Sequence, residues 1–262
     1  HRIAHFGDAY NFLRSGSCLL QAVYSSGNLF EFLEKIYHAA PAQAQILQSM
    51  TSMNLSDRLL IDGPVFPAYL AFVQFLSGVD AFKPVYEAHT VQICLCNALL
   101  DSASCLLLYF CGRLAFNRQV AFLGAMLFAA YPAAIINTQH CYSEPFSYFL
   151  LNLWTLLSLS VLLRHKHRQP ALLAIYAGIG IVSGLLMLSK PAFIILPPLV
   201  AGLLLAVSAL RLVIKESDKG SLAFSSIFSF LFSYLGKGLA VVMGLALVLT
   251  PWAFFNKAAS GN

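Results

Sequence analysis

About twenty consecutive apolar residues suffice to carry a helix across the ~30 Å hydrocarbon core of a bilayer. This 262-residue chain contains such runs repeatedly, at roughly 90–111, 119–137, 146–163, 171–189 and 192–213, with a sixth at about 238–255. Lipid offers backbone amides no hydrogen-bond partner, so segments of this kind must be helical. The fold class that follows is all-α, a polytopic bundle of about six transmembrane helices. Composition agrees: 59% of the residues are hydrophobic and 10% charged, against roughly 25% charged in soluble domains.

Two further apolar runs, 64–76 and 222–235, are too short to span and read as interfacial or re-entrant helices. Gly236-Lys237-Gly238 reads as a hinge between the second of these and the last span. The chain therefore divides into an outer segment, 1–88, carrying juxtamembrane helices, and a transmembrane core, 89–262. It has no initiating Met and opens inside a polar stretch, so it reads as a fragment lacking at least one N-terminal span and a C-terminal region.

Short-loop charge sets the orientation. Arg113, Arg118, Arg164, Lys166, Arg168, Arg211, Lys215, Lys219 and Lys237 fall on one side, whereas the opposite short loops hold only Lys190 and Lys257. The basic side is cytoplasmic by this rule. The N-terminal segment, the loop 138–145, the Ser189-Lys190-Pro191 turn and the tail after Trp252 then face outward together.

That outer face collects the candidate chemistry. Asp8, in Gly7-Asp8-Ala9-Tyr10, suits a proton acceptor or a cation ligand, or equally a solvated loop or helix-cap acid. Glu144, in His140-Cys141-Tyr142-Ser143-Glu144-Pro145, sits where a helix begins, and there a carboxylate also stabilises the helix dipole. His140 could join the two acids around a divalent metal ion, or simply be hydrogen-bonded. Lys190 is alone among basic residues from 169 to 210 and is placed either to meet a phosphate at headgroup depth or to snorkel. His89 is a second candidate for the phosphate. Asp101, four residues from Asn97 on one helix face, reads as an intramembrane functional acid or as a neutral one bonded to Asn97, Ser102 or Ser104.

Several function classes are excluded. No basic run interleaves with aromatics as nucleic-acid binding requires. No phosphate-binding loop, dinucleotide fingerprint, hydrolase elbow or zinc motif is present. The six cysteines have no metal-ligand spacing and read as buried thiols. Gly180 and Gly184, with Gly178 nearby, mark close helix packing. Asn54-Leu55-Ser56 matches a glycosylation sequon, a pattern too common to carry weight.

Taken in order, the motifs resemble a polytopic glycosyltransferase of the GT-C superfamily, in its protein mannosyltransferase and aminoarabinose-transferase branch. The resemblance rests on Gly7-Asp8-Ala9-Tyr10, then Gly63-Pro64-Val65-Phe66-Pro67-Ala68-Tyr69-Leu70, then the turn Gly112-Arg113-Leu114-Ala115-Phe116-Asn117-Arg118. Tyr131-Pro132, Ser143-Glu144-Pro145-Phe146, Ser189-Lys190-Pro191 and Pro251-Trp252 with Asn256 complete it. It implies Asp8 and Glu144 as catalytic acids and Lys190 as phosphate contact in place of the family's usual Arg. Tyr10, His89 and Tyr142 become substrate-binding candidates, and Asp8, Glu144 and His140 candidate ligands of a divalent cation. Phe255 and His89 depart from positions where the family commonly has Arg.

The implied function is transfer of a sugar from a polyprenyl-phosphate donor to a protein or glycolipid acceptor on the outer face of the plasma or inner membrane. A transporter or lipid flippase is the alternative, although no internal repeat supports alternating access. A non-catalytic scaffold would leave the outer acids without a role.

Overall fold

A computed structural model of the protein describes residues 63–77, 90–140, 142–163, 169–199, 202 and 224–260. Its elements are α1 (Val65–Leu76), α2 (Thr90–Ala115), α3 (Arg118–Ala129), α4 (Pro132–Thr138), α5 (Glu144–Leu163), α6 (Gln169–Ser189), a 3-10 turn (Pro191–Ile195) and α7 (Phe224–Ser260). No strand occurs among the described residues. Among the described residues four helices are long and apolar enough to cross a membrane, within Val91–Ala115, Glu144–Leu163, Leu172–Ser189 and Leu235–Phe254. The all-α transmembrane bundle expected from the sequence is what the chain forms.

The run at 119–137 is bent rather than straight: α3 and α4 meet at 54°. Pro132 is the cause. It starts α4, has no N–H to give α3, and holds Tyr131 in an extended conformation at φ −72°, ψ 114°. The two pieces together count as a fifth candidate span. The expected span at 192–213 opens with the 3-10 turn and then passes largely outside the described residues.

The C-terminal region corrects the hinge expectation. Gly236-Lys237-Gly238 does not separate two helices, because α7 runs without interruption for 37 residues. At 1.5 Å per residue that is about 55 Å, well beyond one bilayer core. Each glycine costs a helix only ~1 kcal/mol, and the apolar residues on both sides supply enough helical context to absorb it.

α1 is the short helix the sequence announced. Its twelve residues are too few to span, and Phe66, Leu70 and Val73 are buried along one stripe, packed with Ile93 of α2. Phe72, Phe75 and Leu76 point outward and are more than half exposed, as suits a helix lying in the membrane interface. Where α1 begins, Gly63 has φ +78°, and a side chain there would collide with the backbone carbonyl of Leu188 in α6. The start of α1 is thus pressed against the end of α6.

The core lies between α5 and α6, where Leu150, Trp154, Val161, Tyr176, Ile179, Val182 and Leu186 are buried together. Trp154 Nε1 donates to Ser183 Oγ at 2.9 Å, and Ser183 donates in turn to the Ile179 carbonyl at 2.7 Å. α6 and α7 approach closely through small residues. A Cβ on Gly180 would meet the backbone of Val241 and Leu245, and one on Gly244 the backbone of Ala177. This is the close packing expected of the Gly180/Gly184 pair, with Gly244 as the reciprocal contact. The large apolar side chains left exposed on α2, α3 and α7, such as Leu99, Leu123 and Leu247, form the surface that lipid covers.

Gly180→Ala should destabilise the bundle by about 1–3 kcal/mol, since backbone on the facing helix cannot move aside. Gly178→Ala meets only the Leu157 side chain at an ordinary 3.6 Å, and should be neutral or stabilising by up to ~1 kcal/mol. Thermal unfolding of the two variants in detergent checks the contrast.

Candidate functional site

Glu144 is the first residue of α5, and Lys190 follows the last residue of α6. The helices are antiparallel, so the two residues reach the same end of the bundle. Lys190 Nζ donates to Glu144 Oε1 at 2.7 Å, with the side chains 34% and 31% exposed. Both charges also suit their helix ends: the carboxylate meets the positive pole of α5 and the ammonium the negative pole of α6. At this exposure the pair adds only about 1 kcal/mol or less to stability. It is a charged feature open to a ligand, with little structural duty.

The layer beneath is polar and sealed. Ser147 Oγ and Ser189 Oγ share a hydrogen bond of 3.1 Å, and both residues are almost fully buried. Backbone bonds hold the two chain positions as well: the Ser147 N–H donates to the Ser143 carbonyl at 2.9 Å, and the Lys190 N–H donates to the Leu186 carbonyl at 2.8 Å. Pro191 starts the 3-10 turn at its first position, leaving Lys190 extended between two helical segments.

Aromatic residues fix α1 over this end. Phe146, two residues after Glu144, stacks on Tyr69 with ring centres 5.0 Å apart and lies 6.3 Å from Phe66. Tyr69 OH donates to Asn97 Oδ1 at 3.1 Å, and Asn97 Nδ2 donates to the His140 carbonyl at 3.0 Å. Asn97 is fully buried. One amide thus ties α1, α2 and the α4–α5 connection together. Tyr142 packs partly buried against the α1–α2 cluster, with its ring 5.3 Å from that of His140.

The structure therefore brings Glu144 and Lys190 into contact and places His140 and Tyr142 in the chain segment leading to Glu144. Asp8, Tyr10 and His89 lie outside the described residues. Among the described residues no three His, Cys, Asp or Glu side chains converge as a metal centre, and one Glu144 oxygen already faces an ammonium. Cys94, Cys96, Cys105 and Cys111 are free thiols, but only Cys111 is buried as the sequence reading expected; the other three are partly exposed.

The expectation for Asp101 needs correction. Asn97 is engaged by Tyr69 and His140, while Ser102 and Ser104 donate back to the Ala98 and Leu100 carbonyls at 2.8 and 2.9 Å. None of the three serves the acid. Asp101 is 9% exposed, and its Oδ1 has no hydrogen-bond partner among the described residues. Sequence spacing paired Asn97 with its helical neighbour, whereas its true partners are 28 and 43 positions away.

A protein-family model for dolichyl-phosphate-mannose-protein mannosyltransferases matches residues 79–232, more than half of the chain. The chain belongs to this family. The matched region of the mannosyltransferase family runs from before α2 into α7 and so includes Glu144, Lys190, Asn97 and His140, while α1 with Tyr69 precedes it. No curated protein and no solved structure gives a significant match. Membership makes the chain a multi-pass membrane glycosyltransferase of the GT-C type.

Replacing Asn97 by Leu removes both hydrogen bonds that tie Tyr69 and the His140 carbonyl to α2. Losing two such bonds costs about 1–3 kcal/mol. The variant should show a lowered unfolding temperature in detergent and faster amide exchange across residues 140–147. His140→Ala keeps the carbonyl and should leave that exchange close to wild type.

Proposed function

We propose that this glycosyltransferase takes its sugar from a polyprenyl-phosphate carrier and delivers it to an acceptor hydroxyl on the outer face of the membrane. The observation supporting this most directly is the half-open Glu144–Lys190 pair at the end of the bundle, overlain by α1. By the positive-inside asymmetry this end lies opposite the basic loops. A carrier whose tail stays in lipid presents its phosphate at the depth where an ammonium at the end of a span can meet it.

In this reading the acceptor oxygen attacks the anomeric carbon from the side opposite the phosphate. The new C–O bond forms as the bond from carbon to phosphate oxygen breaks, and the phosphate leaves with the electron pair. The anomeric centre is inverted. Asp8 takes the proton from the acceptor hydroxyl. Lys190 swings from Glu144 to the phosphate and offsets the charge that develops on it. Glu144 holds Lys190 in place between turnovers and supports the acidic side of the site. Tyr142, Tyr10 and His89 bind substrate around this centre. The matched family's description names mannose on dolichyl phosphate as donor and protein as acceptor, so mannosyl dolichyl phosphate is the first donor to assay.

Transfer from a panel of polyprenyl-phosphate sugars, with the full-length protein in lipid and with or without a divalent cation, tests the reading. Asp8→Asn should abolish turnover while the protein still folds; undiminished transfer removes Asp8 from the chemistry. Lys190→Gln should raise the donor KM roughly 10–150-fold, the equivalent of losing a charged hydrogen bond worth ~1.5–3 kcal/mol. Lys190→Arg should keep most of the affinity, because the charge remains.

A further inference from the structure

We propose that a groove between α2, α5 and α6, at the end of the bundle remote from the Glu144–Lys190 pair, binds one anionic phospholipid. An acyl chain lies in the groove and the phosphate rests on Arg113. The cavity measures about 550 Å³ and is lined by Phe110, Arg113 and Leu114 of α2, Leu156 and Ser160 of α5, and Ile175 of α6. That volume falls within the roughly 300–1,000 Å³ of small-molecule sites. Arg113 lies about 24 Å along α2 from Asn97, at 1.5 Å per residue, so the groove is distinct from the proposed transfer site.

Three observations select the occupant. The walls belong to three candidate spans, so the molecule that meets the groove in a membrane is lipid. Its interior makes no polar demand: the Ser160 hydroxyl is turned back onto the Leu157 carbonyl at 2.7 Å. Arg113 is the single charged lining residue, is exposed, and has no ion-pair partner among the described residues. Its planar fork suits a phosphate.

The adjoining sequence carries the same sign. Arg118 opens α3 just beyond, and Arg164, Lys166 and Arg168 occupy the sequence that joins α5 to α6. Basic pockets between spans on the cytoplasmic side attract anionic headgroups. A polyprenyl phosphate shares the same chemistry, but the basic end faces the leaflet that carries the anionic phospholipids, and this decides for a phospholipid.

The test places the full-length protein in nanodiscs of phosphatidylcholine containing phosphatidylglycerol and measures retained lipid by native mass spectrometry. The expected result is one phosphatidylglycerol retained in preference to phosphatidylcholine. In Arg113→Gln the preference should fall about fivefold, the contribution of one basic side chain near an anionic surface. Ser160→Phe, which fills the groove without touching the charge, should release the lipid, and Arg118→Gln should lower the preference by clearly less than Arg113→Gln does.

Equal retention of the two lipids would overturn the proposal. So would an Arg118→Gln loss as large as that of Arg113→Gln, which would mark general surface attraction. Undisturbed binding in Ser160→Phe, or displacement by polyprenyl phosphate at lower concentration than by phosphatidylglycerol, would also overturn it.

Discussion

Lipid supplies no hydrogen-bond partners, so every polar group in the bundle must find one inside the protein or stay at a membrane face. This constraint organises the fold. The backbone meets it with helices. Trp154 meets it through Ser183, Ser147 through Ser189, and Asn97 through Tyr69 and the His140 carbonyl. Glu144 and Lys190 meet it by pairing with each other at the surface. Ser147, Ser189 and Asn97 beside that pair are hydrogen-bonded, whereas Asp101 Oδ1 deeper on α2 is a buried exception; the pair itself remains partly open.

The location of Glu144 follows from these contacts. Phe146 is wedged among the aromatics of α1, and the same α1 is anchored to α2 through Asn97. Gly63 lets the start of α1 lie directly on α6 beside Ser189. Helix ends that would otherwise fray are held by side chains from three other elements. An ion pair worth little in itself is thereby held at this end of the bundle.

Much of this was legible in the sequence because it depends on local rules. Run length identified four of the expected spans and the short α1, and Pro191 after Lys190 marked where α6 stops. Charge asymmetry grouped Glu144 with Lys190 on one side before their contact was seen. What could not be read depends on distance along the chain or on competition between weak signals. Asn97 bonds to groups 28 and 43 residues away, and helical spacing pointed to Asp101 instead. Gly236 and Gly238 looked like punctuation, yet long apolar flanks carried α7 through them. The run at 119–137 read as one unbroken span, yet Pro132 bends it by 54°. Asp8, Tyr10 and His89 lie outside the described residues, so the sequence remains their only witness.

In the proposed function a lipid-linked donor places its phosphate at the Glu144–Lys190 end. A photoreactive polyprenyl-phosphate sugar, crosslinked to the full-length protein in lipid and mapped by peptide mass spectrometry, tests this directly. Label is expected on the peptides holding Tyr142–Ser147, Ser189–Phe193 and α1, competed away by unlabelled donor. Competable label confined to Arg113, Arg118 and the α5–α6 connection would contradict that placement.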